Sequence, residues 1–259
     1  VVFFLRDGLS AAEKERMAAY GADMNKYLDS GNEARIKKAY ESRDPRLQMA
    51  VITPYAQYNG ASSGIAHTYT LRWPYRGSDS AEPFDIRTDT NDKFYYLWRK
   101  FVPEGLEQTE RDTYGLDIPL IRYAEVLLLK AEALNEWGST HESEAIRCVN
   151  EVRRRAGHVE LNNATYPATK VNGQSDLRER IRNEYYWEIG GEDSMYFHEL
   201  RWGTWKDKKF DNNRNGLMQM WGETTYTWYW LGDQCWSWPI PAKEMEMNSN
   251  LEQNEGWIN

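Results

Sequence analysis

The residues of this chain best suited to chemistry are aromatic side chains gathered on two segments that lack a helical period. The segment 54–83 is rich in Gly, Ser and Tyr. Segments this long without regular structure are usually functional. Its candidate binding residues are aromatic rings with one histidine and one arginine: Tyr55, Tyr58, His67, Tyr69, Trp73, Tyr75 and Arg76. The segment 204–235 contributes a second group of aromatic candidates: Trp221, Tyr226, Trp228 and Trp230.

These rings predict a surface that binds a flat, partly apolar ligand. Phe, Trp and Tyr make up 14% of the chain, and nine of its 12 Trp residues lie at or after Trp187. A core alone would draw more on Leu, Ile and Val, whereas Trp and Tyr combine an apolar face with a polar tip. The alternative is packing, in which about half of the rings on 54–83 hold that segment against helices. For the rings on 204–235, core or edge-strand packing is favoured over binding.

Composition excludes several other classes of protein. The formal net charge is −8, and no basic stripe of the kind that binds nucleic acid is present. No run of about 18 apolar residues encodes a membrane span. The two cysteines, Cys148 and Cys235, fit no metal motif. A disulfide between them stays open, although we expect two lone buried thiols.

Catalysis is not predicted from this sequence. It contains no nucleophile elbow, P-loop, zinc-protease helix or dinucleotide fingerprint. A glycoside hydrolase would need two carboxylates flanking the aromatic cleft. Glu192, Asp193 and Glu199 lie near His198 in the sequence, but none has a defined partner carboxylate. A glycoside hydrolase is therefore the least favoured alternative, and we predict neither a metal nor a cofactor.

A helical hairpin over 119–157 is the clearest element that could position these segments. In its first helix apolar residues recur at helical spacing: Ala124, Leu127, Leu128, Ala131 and Leu134, with Val126 and Leu129 widening the stripe. In its second helix they form one seam: Ala145, Val149, Val152 and Ala156. Pro119 suits a first turn, Gly138 and Gly157 suit helix ends, and Ser139 with Glu142 predicts a capping box. Such a tetratricopeptide-like hairpin needs stacked neighbours to bury its apolar face.

Further elements complete a mainly α prediction. Helices are predicted at 9–30, 33–42, 177–189 and 194–201, with a capping box of Asp176 and Glu179 before the third. A short strand is predicted at 47–53, regular structure at 93–102 and a polar tail from 243. Tryptophans in regular elements are expected in the core: Trp98, Trp137, Trp187, Trp202 and Trp238. The predicted fold is therefore tetratricopeptide-like helical hairpins with long irregular loops and a few short strands. One domain spans 1–259, with its helical core at 119–157 and 176–203 and ligand-facing segments at 54–83 and 204–235.

Three blocks of sequence resemble one protein family. Residues 122–157, RYAEVLLLKAEALNE with AIRCVNEVRRRAG, resemble the signature hairpin of the SusD/RagB family of Bacteroidetes outer-membrane nutrient-binding lipoproteins. Residues 181–203, IRNEYYWEIGGEDSMYFHELRWG, are similar to its acidic–Arg–Arg helix and the short helix ending in Arg-Trp-Gly. Residues 238–257, WPIPAKEMEMNSNLEQNEGW, resemble its closing motif, and DPRL at 44–47 fits a fourth element. The chain departs from the family in having Tyr185 and Tyr186 for paired arginines and His198 for an aspartate, which alters structural ion pairs.

The resemblance implies a SusD-like α superhelix and a role in nutrient capture. It implies a surface-exposed lipoprotein of the outer membrane that binds a glycan, or in some members a peptide, for a SusC-like TonB-dependent transporter. The family's ligand contacts are not carried by its signature motifs, so the resemblance assigns no binding residue. The alternative is a helical-repeat interaction scaffold with no small ligand of its own. Exposure of Tyr69, Trp73 and Tyr75 in one concave patch would favour ligand capture, and their burial would favour the scaffold.

The resemblance covers about residues 40–259, and family members are considerably longer. They carry a lipid-attached N-terminal Cys and further hairpins that this chain lacks. The first residues, VVFFL, have no signal-peptide features, so we expect the chain to begin within a domain. If hairpins are missing, an apolar face on 119–157 should be uncovered or covered by a second chain.

Overall fold

The computed structural model describes residues 38, 40, 43–53, 56–62, 65–70, 97–105, 115, 117–192, 194–209 and 230–257. Its helices, in chain order, are α1 (Pro45–Ala50), α2 (Tyr123–Trp137), α3 (Glu142–Arg155), α4 (Gln174–Ile189), α5 (Ser194–Arg201), α6 (Trp205–Lys209) and α7 (Ala242–Met247). Its strands are β1 (Val51–Ile52), β2 (Gln57–Ser62), β3 (Ile65–Thr70) and β4 (Leu97–Trp98). The strands form two antiparallel pairs, β1 with β4 and β2 with β3. The mainly α fold is confirmed, and no helix within the described ranges has the length and apolar character needed to cross a bilayer.

The predicted helical hairpin is confirmed as α2 and α3, joined by a 3-10 turn at Ser139–His141. Gly138, with a φ of 137°, ends α2, and Gly157, with a φ of 70°, follows α3. Both dihedrals lie in the region where only glycine is unstrained. The two helices pack on each other and on α4 around one buried core drawn from all three: Leu128, Ala131, Ala145, Val149, Val152, Leu177, Ile181 and Ile189. Cys148 is buried in this core and Cys235 is half-buried, and both are free thiols.

The helix starts differ from the sequence prediction. The first helix begins at Tyr123 and not at Pro119, because the Arg122 side chain is bound to the end of α4. The two predicted capping boxes do not form. The 3-10 turn before α3 already satisfies the backbone, with the His141 amide donating to the Gly138 carbonyl. At α4, Gly173 is the N-cap, and Asp176 accepts instead from the Asn172 amide.

Three segments have more regular structure than the sequence indicated. The predicted strand at 47–53 is helical as far as Ala50, because the Asp44 carboxylate accepts from the Arg46 amide and Pro45 occupies the first turn. Within 54–83, β2 and β3 form an antiparallel hairpin where an irregular loop was predicted. The tail from 243 contains α7, which starts after Pro241.

Helix α2 carries apolar side chains on two faces. Leu128 on one face is completely buried, whereas Tyr123, Val126, Leu129 and Trp137 are 41–76% exposed. The prediction that Val126 and Leu129 widen the buried stripe is therefore wrong. Trp98 and Trp238, also predicted to be core, are exposed, while Trp187 and Trp202 pack against the core. The described part of the chain covers only one apolar face of α2.

The two faces of α2 give matched stability variants. We expect Leu128→Ala to lower the free energy of unfolding by about 2–5 kcal/mol, because it opens a cavity in a packed core. Leu129→Ala removes the same atoms from an exposed site and should cost about 0.5 kcal/mol or less. Urea denaturation of the two variants measures both values. Equal losses would show that the outer face of α2 is packed as tightly as the inner one.

Candidate functional site

Two buried carboxylates on α4 position the segments that lead to the candidate site. Glu184 accepts from Arg46 Nη1 at 2.7 Å and from Arg153 Nε at 2.8 Å. Glu188 accepts from Arg46 Nη1 at 3.1 Å and from Arg122 Nη1 at 2.9 Å, and also pairs with Arg155. These bonds tie the start of α1, the start of α2 and the end of α3 to one turn of α4. Asp44 also pairs with Arg46, and we call this whole group of side chains the carboxylate cluster.

The charges of the carboxylate cluster change the acidity of its members. Burial by itself would raise the pKa of Glu188, but hydrogen bonds and charges from Arg122, Arg155 and Arg46 outweigh it, and the pKa is lowered. Burial opposes the shift at Asp44 in the same way, yet the Arg46 guanidinium lowers its pKa. Asp44 and Glu188 are therefore ionised at neutral pH, and they bind the arginines through charge-assisted hydrogen bonds.

The residues after β4 connect the cluster to the strands. Lys100 Nζ donates to the carbonyl oxygens of Glu188 at 2.9 Å and Gly190 at 3.3 Å, and it pairs with Glu192. Gly191, with a φ of 84°, lies against the Trp98 ring, where a β-carbon would come within 2.9 Å of Cζ3. Strand β4 is thus held on the C-terminal end of α4.

Arg99 and Glu104 then hold the β2–β3 hairpin in place. The Arg99 guanidinium donates to the Gln48 carbonyl at 3.1 Å, to the Gln57 carbonyl and to Glu104. Glu104 Oε2 accepts from the Asn59 amide at 3.0 Å. The Tyr58 hydroxyl donates to the Pro103 carbonyl at 3.3 Å. A continuous series of polar contacts therefore runs from α4 to the hairpin.

The hairpin brings three of the predicted binding residues onto one face. Tyr58 lies opposite Tyr69, and Gly60 lies opposite His67. Because positions two apart share a face of a strand, Tyr58, His67 and Tyr69 occupy one face of the hairpin. The Tyr58 ring is 8% exposed, a burial that packing alone accounts for. Its binding role stays a prediction.

The opposite face of the hairpin presents polar side chains to solvent. Gln57, Asn59 and Thr68 are exposed, and the Thr68 hydroxyl donates to Asn59 Oδ1 at 3.1 Å. Sequence reasoning missed this polar face, although the two-residue alternation of 57–60 was a signal for it. It also missed Arg99, Lys100 and Glu104, for which the sequence offered no signal.

The remaining candidates lie outside the described residues: Tyr55, Trp73, Tyr75, Arg76, Trp221, Tyr226 and Trp228. Their binding roles stay predictions. Trp230 is described and is half-buried, with its ring 5.0 Å from that of Trp236 and its Nε1 donating to Asp233 at 3.2 Å. Lys206 Nζ lies 5.4 Å from the centre of the Trp230 ring. Trp230 thus belongs to a cluster of aromatic and charged side chains.

The carboxylates considered for hydrolysis are used inside the protein. Glu192 pairs with Arg122 and Lys100, and Glu199 is buried and accepts from the Tyr186 hydroxyl. His198 Nε2 lies 2.9 Å from Glu125 Oε1, and both side chains are buried. Asp193 lies outside the described residues. In the described ranges, no group of three or more His, Cys, Asp or Glu side chains is arranged to hold a metal ion.

Comparison with known proteins identifies the family to which this chain belongs. The family model described as the SusD family matches residues 10–257, almost the whole chain. The chain belongs to the SusD family. This agrees with the sequence resemblance and with the prediction that the chain is not an enzyme, because members of the family are binding proteins.

Individual members of the SusD family match parts of this chain. SusD-like protein P38 of Formosa agariphila is 32% identical over 139 residues, which is 53% of this chain and 24% of the relative. Starch-binding protein SusD of Bacteroides thetaiotaomicron is 28% identical over 161 residues, which is 62% of this chain and 25% of the relative. The matches thus span about a quarter of the length of these relatives.

Solved structures of SusD-like proteins share the fold. A SusD-like protein from Bacteroides fragilis aligns with a TM-score of 0.60 at 22% identity, over 85% of this chain and 40% of that one. A SusD homolog from Bacteroides thetaiotaomicron aligns with a TM-score of 0.51 at 21% identity, over 90% of this chain and 43% of that one. The helical, tetratricopeptide-like architecture is therefore that of the SusD family.

The family departures at Tyr185 and Tyr186 have different structural consequences. Tyr185 is fully buried against His198 and Trp202, with ring centres 4.5 and 5.2 Å away. Among the described residues its hydroxyl has no hydrogen-bond partner. The Tyr186 hydroxyl donates to Glu199. The first tyrosine fills space with an unsatisfied polar atom, whereas the second satisfies a buried carboxylate.

Tyr185→Phe should leave the free energy of unfolding unchanged or raise it by about 1 kcal/mol, because it removes an unsatisfied buried hydroxyl. Tyr186→Phe is the matched control and should lower it by about 1–3 kcal/mol, because Glu199 loses a donor. Thermal and urea unfolding of both variants measure the difference. A clear loss in Tyr185→Phe would mean that a buried water or another group satisfies this hydroxyl.

The carboxylate cluster predicts how stability depends on pH. The folded-state pKa values of Asp44 and Glu188 are lowered, so these groups stabilise the fold above their unfolded values of about 3.9 and 4.3. That stabilisation is lost as the pH falls through the lower folded values. We therefore expect the free energy of unfolding to be steady from pH 7 to about 5 and to drop steeply below about 4.

Glu188→Gln tests the cluster directly. It should cost about 3–5 kcal/mol at pH 7, because the buried Arg46 and the half-buried Arg122 lose a charged partner, and it should flatten the acid limb of the profile. The control is Glu252→Gln at an exposed residue, which should change neither the free energy of unfolding at pH 7 nor the acid limb of the profile. An unchanged acid limb in Glu188→Gln would assign the acid sensitivity to other groups.

Proposed function

We propose that this chain is part of a cell-surface protein that binds a glycan and delivers it to a SusC-like TonB-dependent transporter of the outer membrane. The observation that carries the proposal is the SusD family match over residues 10–257. One relative of the chain, 28% identical, is a starch-binding protein. Another nutrient, such as a peptide, is the alternative ligand.

The chemistry of the aromatic segments supports a glycan ligand. Sugar rings have apolar CH faces that can stack on Trp and Tyr, and hydroxyl groups that pair with amide and hydroxyl side chains. In the β2–β3 pairing Tyr58 lies opposite Tyr69 and Gly60 lies opposite His67, and Asn59 and Thr68 are exposed. Trp73, Tyr75 and Arg76 follow it directly in the sequence. A rigid frame that carries binding residues on connecting segments is the usual design of such sites.

Partners and location follow from the family. SusD family proteins are, in general, associated with the outer membrane. We propose that the whole protein is a surface-exposed lipoprotein of the outer membrane. The transporter would receive the glycan from the aromatic segments.

A second candidate function is a helical-repeat interaction scaffold. The observation that favours it is the outer face of α2, where Tyr123 and Trp137 are 68% and 76% exposed. An exposed apolar stripe of this kind is typical of a contact with another protein surface. The scaffold and the glycan-binding role differ in whether the aromatic segments bind a small ligand.

We expect Trp73→Ala to weaken binding of the recognised glycan about tenfold, because an aromatic contact contributes on the order of 1 kcal/mol beyond its buried area. Isothermal titration of the whole protein against a panel of polysaccharides and peptides measures this. Trp238→Ala is the matched control, since Trp238 is 73% exposed and lies outside the two aromatic segments proposed to bind.

The titration separates the two functions. Glycan binding that depends on Trp73 supports ligand capture, and peptide binding that depends on Trp73 changes only the ligand class. Equal affinity of the Trp73→Ala variant would remove the first-ranked site. No binding to any polysaccharide or peptide would favour the hypothesis that the protein is an interaction scaffold.

A further inference from the structure

The loop between α3 and α4 contains a cleft that none of the predicted binding residues lines. Its volume is about 440 Å3, and its walls are formed by one stretch of the loop: Asn162, Asn163, Ala164, Pro167, Lys170 and Val171. Clefts of roughly 300–1,000 Å3 are typical of sites for small ligands. The cleft is open to solvent, because Asn162, Pro167 and Lys170 are exposed.

The cleft is held open by hydrogen bonds within its own loop. Asn162 adopts a left-handed backbone with a φ of 57°, and its Oδ1 accepts from the Val171 amide at 2.7 Å. Asn163 Oδ1 accepts from the Thr165 amide at 2.9 Å. Thr169 completes the frame, with its carbonyl accepting from the Asn162 amide and its hydroxyl oxygen accepting from the Asn163 amide. No rearrangement is needed to form the walls.

These bonds leave the cleft with free donor groups. Both Asn162 and Asn163 accept from backbone amides through their Oδ1 atoms, so each retains its Nδ2 group as a donor. Within the described part of the chain, neither Nδ2 group nor Lys170 Nζ has a hydrogen-bond partner. No carboxylate is among the residues that line the cleft, so it lacks the ligands that a divalent cation prefers. A group rich in acceptors and negative charge matches these donors.

The surroundings of the cleft also favour an anion. Arg180 on α4 donates from behind the loop to the carbonyls of Ala168 at 3.1 Å and Lys170 at 2.9 Å. Its charge is balanced by Asp176, whose Oδ2 lies 3.0 Å from Arg180 Nε. Among the described residues Lys170 forms no ion pair, in a chain whose net charge is −8. An anionic ligand would be repelled by much of this protein and attracted here.

We infer that this cleft is a second saccharide subsite, one that binds the carboxylate or sulfate group of an acidic sugar. Lys170 Nζ and the Nδ2 groups of Asn162 and Asn163 donate to its oxygens. The inference rests on the proposed glycan-binding function, and it adds acidic glycans as a substrate class. A carboxylate and a sulfate group would accept hydrogen bonds from the same donors at this site. Titration with a uronate oligomer and with a sulfated oligomer distinguishes the two groups.

The test is isothermal titration of the whole protein with trigalacturonate, a sulfated galactose oligomer, neutral maltotriose and inorganic sulfate. Lys170→Gln should weaken binding of an acidic oligomer about tenfold, because it removes a charge-assisted hydrogen bond. Asn163→Asp keeps the oxygen that accepts from Thr165 and replaces the donor with an acceptor, so binding should weaken at least as much. Lys243→Gln changes an exposed lysine on α7 and should have no effect.

Binding of either acidic oligomer that is weakened by Lys170→Gln and Asn163→Asp, and not by Lys243→Gln, supports the inference and identifies the acidic group. Acidic binding that neither cleft variant changes would place the ligand elsewhere and overturn it. Maltotriose bound as tightly as the acidic oligomers would overturn the claim that the cleft requires an acidic group. Inorganic sulfate bound as tightly as the oligomers would overturn the claim that the ligand is a saccharide. If neutral glycans bind through Trp73 while no acidic oligomer binds, this inference fails and the proposed function stands. If acidic binding depends on Lys170 while no glycan of the panel depends on Trp73, the aromatic site fails and the cleft stands.

Discussion

The structure depends on two carboxylates, Glu184 and Glu188, that are buried on α4 and shared among several arginines. Taking a carboxylate out of water is costly, and the cost is met here by multiple short hydrogen bonds from guanidinium groups. Such a cluster adds little net stability compared with an apolar core of the same volume. What it contributes is position, because its arginines come from three segments, the start of α1, the start of α2 and the end of α3, and all must reach the same turn of α4.

This arrangement explains how a mainly helical scaffold can carry a precisely placed hairpin. Arg46 attaches α1 to α4, and Lys100 attaches β4 to the end of the same helix. Arg99, which directly precedes Lys100, and Glu104, which follows it on the same segment, then bind the backbone of β2. These polar contacts fix the position of the β2 backbone relative to α4.

Helix α2 shows that apolar periodicity and burial are separate properties. Its sequence is apolar almost all round, and a helix of that kind is normally covered on every side. The described residues cover the face that contains Leu128 and leave the face of Tyr123 and Trp137 open. The fold is nevertheless shared with a SusD-like structure at 22% identity, and in this chain the inner face of α2 and the seams of α3 and α4 carry apolar residues at helical spacing.

The sequence by itself determined the helical hairpin, its glycine ends and the helices at 177–189 and 194–201, because helical periodicity and capping are local properties. It also determined family membership through blocks that include Arg122, Glu184 and Glu188. It could not determine that Arg46, Arg122 and Arg153 meet at α4, that Tyr58, His67 and Tyr69 share a face, or that the Asn162 and Asn163 oxygens are occupied. Those relations join residues up to 142 positions apart or depend on which partner each polar atom finds. Only the tertiary structure decides them, because the free energy of a buried charge or amide depends on its neighbours in space and not on its neighbours in the chain.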